Sequence, residues 1–315
     1  MPPDDLAWIA RATRATRVER GERIQSLWSG YGEIRRVTLH GASTPTAILK
    51  SVTPPAGRRA DDRSHARKCA SYDVELAWYR GHAARCDRAC RVPAWIDGAR
   101  TDEGWSFLLE DLDAAGFAGR RRRGASALDV DLCLGWLAAF HARFLGESPA
   151  GLWNVGTYWH LATRPDELAA IDDPALRAAA PILDAKLRAA RHQTFVHGDA
   201  KVANFCFGDG AVAAVDFQYV GGGCGMSDVA YFLGSWADDG HDPDEERHLD
   251  RYFELLRAAL VARAIDAAPV EAEWRVLYPI AAADFHRFLA GWSKDHWSHD
   301  AHGRAVVRRV LDQLR

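Results

Sequence analysis

The chain has 315 residues, of which 48% are apolar and 26% are charged, and its formal net charge is −3 at pH 7. This length and apolar fraction allow one large domain or two lobes to bury a core. The charge excludes the strongly basic surface typical of nucleic-acid-binding domains. No run of about 18 uncharged apolar residues could span a membrane. The first residues lack the features of a signal peptide and the cysteines form no CxxC pair, so we expect a reduced, cytoplasmic protein.

The first 110 residues are predicted to form a mostly antiparallel sheet plus one helix, preceded by a short N-terminal helix. A short helix is predicted over residues 5–20. Strand-like spacing over 22–40 is interrupted by a glycine turn at 29–32, which is typical of a hairpin. Apolar residues recurring at three and four predict a helix over 64–85. Further strands are predicted over Thr46–Val52, 92–97 and 105–109.

The remainder of the chain is predicted to be mainly helical, with short strands around a loop and a glycine-rich turn at 221–223. The predicted helices cover 128–145, 184–190 and most of the chain from 228 onward, and the predicted strands cover 195–196, 205–207 and 211–215. This order predicts an α+β, bilobal fold. Its β-rich N-lobe would span 1–111, its hinge 110–113, and its larger helical C-lobe 112–315.

The strongest chemical signal is the segment HGDAKVAN at 197–204, followed by VDF at 215–217. Phosphoryl transfer from ATP requires an oriented nucleophile, metal ions on the phosphates and positive charge against the developing negative charge. The carboxylate of Asp199 is suited to orient the attacking hydroxyl and accept its proton. The side-chain oxygens of Asn204 and Asp216 are suited to hold Mg²⁺. Lys201 would direct a compact positive charge at the transferring phosphate. Lysine and asparagine are scarce, with five and two copies in the chain, which makes chance a weaker explanation for Lys201 and Asn204.

The HGDxxxxN motif, a following strand and an Asp-Phe pair resemble the small-molecule kinases of the aminoglycoside phosphotransferase, choline kinase and ecdysteroid kinase-like group. These kinases share the protein-kinase fold, and the resemblance covers nearly the whole chain. It implies that Asp199 is the catalytic base and that Asn204 and Asp216 hold magnesium. His197 is implied to be a structural hydrogen-bonding residue. Asp228 is implied to brace the catalytic loop.

The same resemblance implies an ATP site built from the N-terminal part of the chain. Lys50 would contact the α- and β-phosphates, and Glu75 on the following helix would pair with it, although Asp73 is a nearby competitor. The segment 107–112 resembles the hinge, especially of the ecdysteroid kinase-like members. Backbone groups of Glu110 and Leu112 would therefore meet adenine. The phosphate-covering turn would contain Gly30 and Gly32, which also fit a plain hairpin turn.

Two departures from protein kinases bear on the substrate. Gln218 replaces the glycine of the Asp-Phe-Gly motif, which argues against a regulatory flip of that motif. Asp216 is followed within a dozen residues by Asp228 and a helical pattern, so a peptide-binding platform has no room. The sequence therefore predicts a small-molecule alcohol as acceptor. Protein, nucleic-acid and membrane partners are not expected.

The sequence predicts the acceptor pocket less clearly than the catalytic loop, because the aromatic residues that could line the pocket could equally pack helices against one another. Residues in suitable segments are Trp153, Tyr158, Trp159, Asp284, His286, Trp292, Asp295 and Trp297. The predicted function is transfer of the γ-phosphate of ATP, with Mg²⁺, to a hydroxyl group. The acceptor could be an antibiotic, an amino alcohol such as choline, or a steroid-like alcohol. A nucleotide-binding pseudokinase with a regulatory function and, less favoured, a protein kinase are the alternatives.

Overall fold

The computed structural model describes residues 5–55, 57, 62–122, 124–236 and 244–314. Contacts between Cα atoms divide the chain into two compact units. The first unit contains the described residues up to Arg120 together with Cys206–Gln218, and the second contains Arg121–Phe205 together with the described residues from Tyr219 onward. The lobes expected from the sequence, 1–111 and 112–315, stay a prediction.

The described chain begins with a strand-rich part and ends with a helical part. The helices are α1 (Asp5–Thr13), α2 (Arg63–Gly81), α3 (Ala127–Arg143), α4 (Pro165–Ala169), α5 (Pro174–Arg188), α6 (Met226–Leu233), α7 (Glu245–Val261), α8 (Ala268–Trp292), α9 (Lys294–His299) and α10 (Ala301–Gln313). The strands are β1 (Arg17–Ser26), β2 (Gly32–His40), β3 (Thr46–Val52), β4 (Trp95–Thr101), β5 (Gly104–Glu110), β6 (Gly119–Arg120), β7 (Thr194–Val196), β8 (Phe205–Phe207), β9 (Val212–Ala214) and β10 (Gly221–Gly223). The predicted α+β class is confirmed.

The first unit is built on a five-stranded antiparallel sheet with the strand order β1-β2-β3-β5-β4. Successive side chains of a strand point to opposite faces. In β3, Leu49 therefore joins an apolar cluster with Ile9 of α1 and Leu108 of β5, whereas Lys50 points to the other face. That other face meets α2, whose start is fixed by the Asp62 side chain accepting hydrogen bonds from the backbone of Ser64 and His65.

Two predictions about the element bounds are wrong. The first helix ends at Thr13 rather than near residue 20, because Arg14 adopts a left-handed conformation with φ 58° and the chain then pairs as β1. The predicted turn at 221–223 is strand β10, which pairs with β7. Glycines have low strand propensity, but a Cβ at Gly221 would lie 2.2 Å from the Trp153 carbonyl oxygen, so close backbone packing requires glycine there.

The second unit has α8 at its centre. This 25-residue helix packs against α4, α5, α6 and α10, while α3 packs against α7. Buried apolar residues from α5, α8 and α10, among them Leu183, Ala283 and Val307, form one cluster between these helices. A second cluster is aromatic and joins Trp159 to Tyr231 of α6 and Phe285 of α8. The loop that carries HGDAKVAN lies in this unit, between β7 and β8.

All six cysteines are free thiols. Across the part of the chain that the structure describes, none of the helices combines the length and the hydrophobicity needed to cross a bilayer. The same residues contain no group of three or more His, Cys, Asp or Glu side chains arranged to hold a metal ion.

Candidate active site

The first unit brings Lys50, Glu75 and Asp216 together. The ammonium Nζ of Lys50 donates to Glu75 Oε2 at 2.6 Å and lies 3.9 Å from Asp216 Oδ1. Lys50 and Glu75 are both buried, and the ammonium lies over the rings of Tyr72 and Phe107 at 5.4 and 5.6 Å. These contacts fix a positive charge at the end of a long side chain next to a carboxylate that can bind a cation.

Glu75, rather than Asp73, is the partner of Lys50. Asp73 instead accepts hydrogen bonds from Trp105 Nε1 at 2.8 Å and from Arg100 at 3.1 Å. Burial raises the pKa of Glu75 to about 7, because the loss of hydration outweighs the attraction of Lys50, and the negative charge of Asp216 acts in the same direction.

Asp216 occupies an unusual backbone position just after β9. Its φ is 70°, in the left-handed region that non-glycine residues rarely adopt. Its Oδ1 is buried and has no hydrogen-bond partner. The next residue anchors this position, because the Phe217 ring stacks on Trp78 of α2 with centroids 4.5 Å apart. Gln218, the residue in place of glycine, accepts a hydrogen bond from Ser71 of α2 at 3.2 Å.

The turn between β1 and β2 contains the two predicted phosphate-covering glycines. Gly32 pairs with Val52, two residues beyond Lys50, and a Cβ on Gly32 would lie 2.0 Å from the Ser51 carbonyl oxygen. Packing of the strands therefore accounts for Gly32. Gly30 has φ 75° and would have no atom within 4 Å of an added Cβ, so its backbone is accessible to a ligand.

In the predicted hinge segment, the acidic side chains are tied to arginines. Arg91 forms an ion pair with Glu110 at 2.5 Å, and Arg36 donates to Asp111 at 2.7 Å. Burial by itself would raise the pKa of Asp111, but the hydrogen bonds that its carboxylate accepts and the positive charge of Arg36 together outweigh burial, and the pKa is lowered. The Glu110 N–H donates to the Ala94 carbonyl, and the Leu112 carbonyl accepts from the Phe117 N–H, so these two backbone groups are engaged within the chain.

The second unit brings the HGDAKVAN residues together around the Asp199 carboxylate. Asp199 is 7% exposed, and its Oδ2 accepts hydrogen bonds from Lys201 Nζ at 2.8 Å and from Asn204 Nδ2 at 3.0 Å. A short 3₁₀ turn over Val202–Asn204 returns the chain so that Asn204 faces Asp199. A carboxylate held by two donors in a nearly dry setting has a fixed orientation, as a general base requires.

Asn204 also donates from Nδ2 to the backbone carbonyl of Asp199 at 2.8 Å. Both bonds use the amide nitrogen, so the amide oxygen is the atom of Asn204 that can bind a cation. In the first unit, Asp216 Oδ1, which has no hydrogen-bond partner, is likewise a hard oxygen donor. Mg²⁺ in ATP-dependent enzymes is usually held by one or two such side chains and by phosphates, so each of these oxygens is of a type that fits Mg²⁺.

Asp228, on α6, holds the backbone of the loop. Its carboxylate accepts from the N–H groups of His197 at 2.5 Å and Gly198 at 2.9 Å, and from His141 Nε2 at 3.2 Å. His197 is fully buried, and its Nδ1 accepts from the Asp199 N–H at 3.3 Å. These contacts define the loop conformation without placing His197 or Asp228 at the reacting atoms.

Tyr231 is the site residue that the sequence reasoning missed. Its hydroxyl donates to Asp199 Oδ1 at 3.1 Å. A signal was present in the sequence, because Tyr231 follows Asp228 by three residues and the two therefore share a face of α6. Since Asp228 was already expected to brace the loop, its i+3 neighbour was a candidate to reach the loop as well.

The residues proposed for the acceptor pocket fall into different settings. Trp159 is buried in the aromatic cluster, and Asp284 is paired with the fully buried Arg287 at 2.8 Å. His286 is paired with Asp300, which leaves neither Asp284 nor His286 as a simple site for a cation. The side chains of Trp153 and Tyr158 are partly exposed, and that of Trp292 is largely exposed. Asp295 lies at the start of α9, and Trp297 lies in its middle.

Comparison with solved structures gives matches over nearly the whole chain. A protein assigned as a fructosamine-3-kinase from Thermobifida fusca YX-ER1 has a TM-score of 0.54 at 16% identity, covering 95% of this chain and 98% of that one. A choline kinase from Cryptosporidium parvum Iowa II has a TM-score of 0.53 at 10% identity, covering 97% and 95%. An amicoumacin kinase in complex with AMP-PNP, Ca²⁺ and Ami has a TM-score of 0.51 at 14% identity, covering 99% and 97%. At these identities the similarity shows a shared fold.

A search of the curated proteins finds no match. The sequence profile of the phosphotransferase enzyme family matches residues 23–275, a range that includes both Lys50 and the HGDAKVAN loop. The resemblance to small-molecule kinases inferred from the motifs is thereby confirmed, and the chain belongs to the phosphotransferase enzyme family.

Proposed function

We propose that this chain transfers the γ-phosphate of ATP, with Mg²⁺, to a hydroxyl group of a small molecule. The observation that carries the proposal is the Asp199 carboxylate, which is nearly buried and is held by Lys201 and Asn204 of its own loop. Membership of the phosphotransferase enzyme family supports the reaction class. The amicoumacin kinase structure, which contains AMP-PNP, supports a nucleoside triphosphate as donor.

In this proposal, Lys50 and Glu75 position the nucleotide. Lys50 offers three N–H donors, of which one is engaged by Glu75 at 2.6 Å, so the ammonium can also contact phosphate oxygens. Glu110 and Leu112 would meet adenine through the Glu110 carbonyl and the Leu112 N–H, and the turn with Gly30 and Gly32 would cover the phosphates. The proposal requires these groups and the Asp199 loop to act on the same nucleotide.

Asn204 and Asp216 would hold Mg²⁺ through the Asn204 amide oxygen and the buried Asp216 Oδ1, which has no hydrogen-bond partner. When bound, the metal would offset the negative charge of the phosphates. Asp216 has a left-handed backbone conformation, and the stacking of the adjacent Phe217 on Trp78 stabilises that backbone.

Asp199 would act as the general base. It orients the acceptor hydroxyl and takes its proton while the acceptor oxygen attacks the γ-phosphorus and the bond to the ADP oxygen breaks. Lys201 lies 2.8 Å from Asp199 Oδ2, and its ammonium would also contact the transferring phosphate. His197 and Asp228 would support the loop without taking part in proton transfer.

The acceptor is proposed to be a small molecule because the chain between Asp216 and α6 is short. Residues 217–225 contain strand β10, which pairs with β7, and α6 begins at Met226. That segment leaves no length for a peptide-binding platform. Choline, fructosamine and amicoumacin kinases are among the similar structures, so alcohols of these kinds and neutral ring alcohols belong in a substrate panel.

The test is ADP release from MgATP with a panel of choline, ethanolamine, a fructosamine, an aminoglycoside, amicoumacin and a steroid-like alcohol. We expect at least one to raise ADP release above the rate with water alone. Asp199→Ala should abolish most of this release while leaving the ATP affinity, measured by calorimetry, nearly unchanged. Full turnover in Asp199→Ala would rule out the assigned base. ATP binding without turnover on a broad panel would instead favour a pseudokinase.

A further inference from the structure

Tyr231 makes a direct contact with the base that the mechanism above does not use. Its side chain is 6% exposed, and its hydroxyl donates to Asp199 Oδ1 at 3.1 Å. Lys201 and Asn204 both donate to the other oxygen, Oδ2. The carboxylate is therefore held at both oxygens, from its own loop at Oδ2 and from α6 at Oδ1. A donor to an ionised carboxylate forms one of the stronger types of hydrogen bond.

The Tyr231 ring is held firmly by its neighbours. Its centroid lies 5.0 Å from that of Trp159 and 4.8 Å from that of Phe285. Its hydroxyl also interacts with that of Tyr158, whose ring centroid is 5.6 Å away. Arg164 fixes Tyr158 in turn by donating to its backbone carbonyl at 2.6 Å.

Tyr231 remains a hydrogen-bond donor over the whole physiological pH range. Burial raises its pKa well above the ordinary value, and the nearby negative charge of Asp199 raises it further. The same two causes raise the pKa of Tyr158. An ionised tyrosine beside the carboxylate is therefore excluded near neutral pH, and the hydroxyl proton points toward an acceptor oxygen.

We propose that Tyr231 is the positioning residue of the catalytic base, holding Asp199 so that its Oδ1 receives the proton of the acceptor hydroxyl. This rests on the proposed function, in which Asp199 is the base. Two donors fill the two lone pairs of Oδ2, which directs the incoming hydroxyl to Oδ1. The same α6 that braces the loop backbone through Asp228 thus orients its reacting side chain through Tyr231.

The acceptor oxygen forms a bond to the γ-phosphorus, the bond from that phosphorus to the ADP oxygen breaks with its electron pair going to ADP, and the acceptor proton moves to Asp199 Oδ1. Tyr231 keeps its own proton throughout. The proton on Oδ1 is released to solvent after the products leave. Loss of the tyrosine hydroxyl would leave the base present and less well oriented, which lowers the rate of transfer more than nucleotide binding.

The test compares Tyr231→Phe with Tyr278→Phe. Tyr278 is a matched control, because it is also buried and its hydroxyl also donates to a carboxylate, Glu245, at 2.8 Å. Turnover is ADP release from MgATP with the panel alcohol that gives the highest rate. We expect Tyr231→Phe to lower kcat by about tenfold, the equivalent of one charge-assisted hydrogen bond, with the KM for ATP unchanged. Tyr278→Phe should leave both constants unchanged.

A double mutant separates positioning from a general loss of structure. Because Tyr231 acts through the Asp199 carboxylate, Tyr231→Phe should have no further effect on the residual rate of Asp199→Asn. Equal fractional losses in the two backgrounds, or a kcat of Tyr231→Phe equal to wild type, would overturn the inference while leaving the proposed function intact. Turnover by Asp199→Asn at the wild-type rate, or no ADP release from wild type with any alcohol, would overturn the proposed function itself.

Discussion

We expect Glu75 to make the stability of this protein depend on pH. Its side chain is 1% exposed, and burial raises its pKa from 4.5 to about 7. A carboxyl whose pKa is raised on folding favours the folded state when it is protonated. Its contribution is fully present below pH 4.5 and is lost as the pH rises through about 7. A pKa difference of about 2.5 corresponds to about 3 kcal/mol of unfolding free energy.

Urea unfolding between about pH 5 and pH 8, followed by tryptophan fluorescence and circular dichroism, measures this contribution. We expect Glu75→Gln to remove the part of the pH slope that Glu75 causes, because glutamine keeps the shape and does not titrate. Glu254→Gln is the control. It removes the same charge from a side chain that is 56% exposed, and it should keep the wild-type slope. If Glu75→Gln and wild type lose stability in parallel up to pH 8, Glu75 is ionised in the folded protein and the reasoning is refuted.

Three further predictions concern the loop and the metal ligands. Asp216→Ala should weaken ATP binding in the presence of Mg²⁺ by at least about tenfold and leave metal-free binding nearly unchanged, as calorimetry with and without EDTA would reveal. Gly198→Ala should lower the free energy of unfolding, measured with urea, by about 2 kcal/mol or more, because its φ is 79° and the new Cβ would lie 2.2 Å from the Tyr219 carbonyl oxygen. Gly135→Ala is the control, because a Cβ there enters open space on α3, and this change should be neutral or stabilising. Asp228→Asn should lower the unfolding free energy by about 1–3 kcal/mol through weaker hydrogen bonds to the loop, and an unchanged urea midpoint would contradict this.

Short-range patterns predicted much of the fold. The alternation and flanking turns placed β3 at Thr46–Val52, as observed, and the three-four spacing placed α2 within a few residues of its bounds. Local patterns failed where distant contacts decide the conformation. The glycines of β10 have low strand propensity but pair with β7, and at Gly221 only glycine fits against Trp153. The first helix ends earlier than predicted because the backbone of Arg14 is in the left-handed conformation and the residues after it form strand β1.

The sequence by itself determined which residue types carry the chemistry, because HGDAKVAN and the Asp-Phe pair contain them in a recognisable order along the chain. Only the tertiary structure decided their partners. In the folded chain, Lys50 pairs with Glu75 rather than Asp73, the Asn204 amide nitrogen donates to the Asp199 carboxylate, and the Tyr231 hydroxyl donates to the same carboxylate. A motif fixes spacing along the chain, whereas a hydrogen bond depends on direction and distance between segments that folding alone brings together.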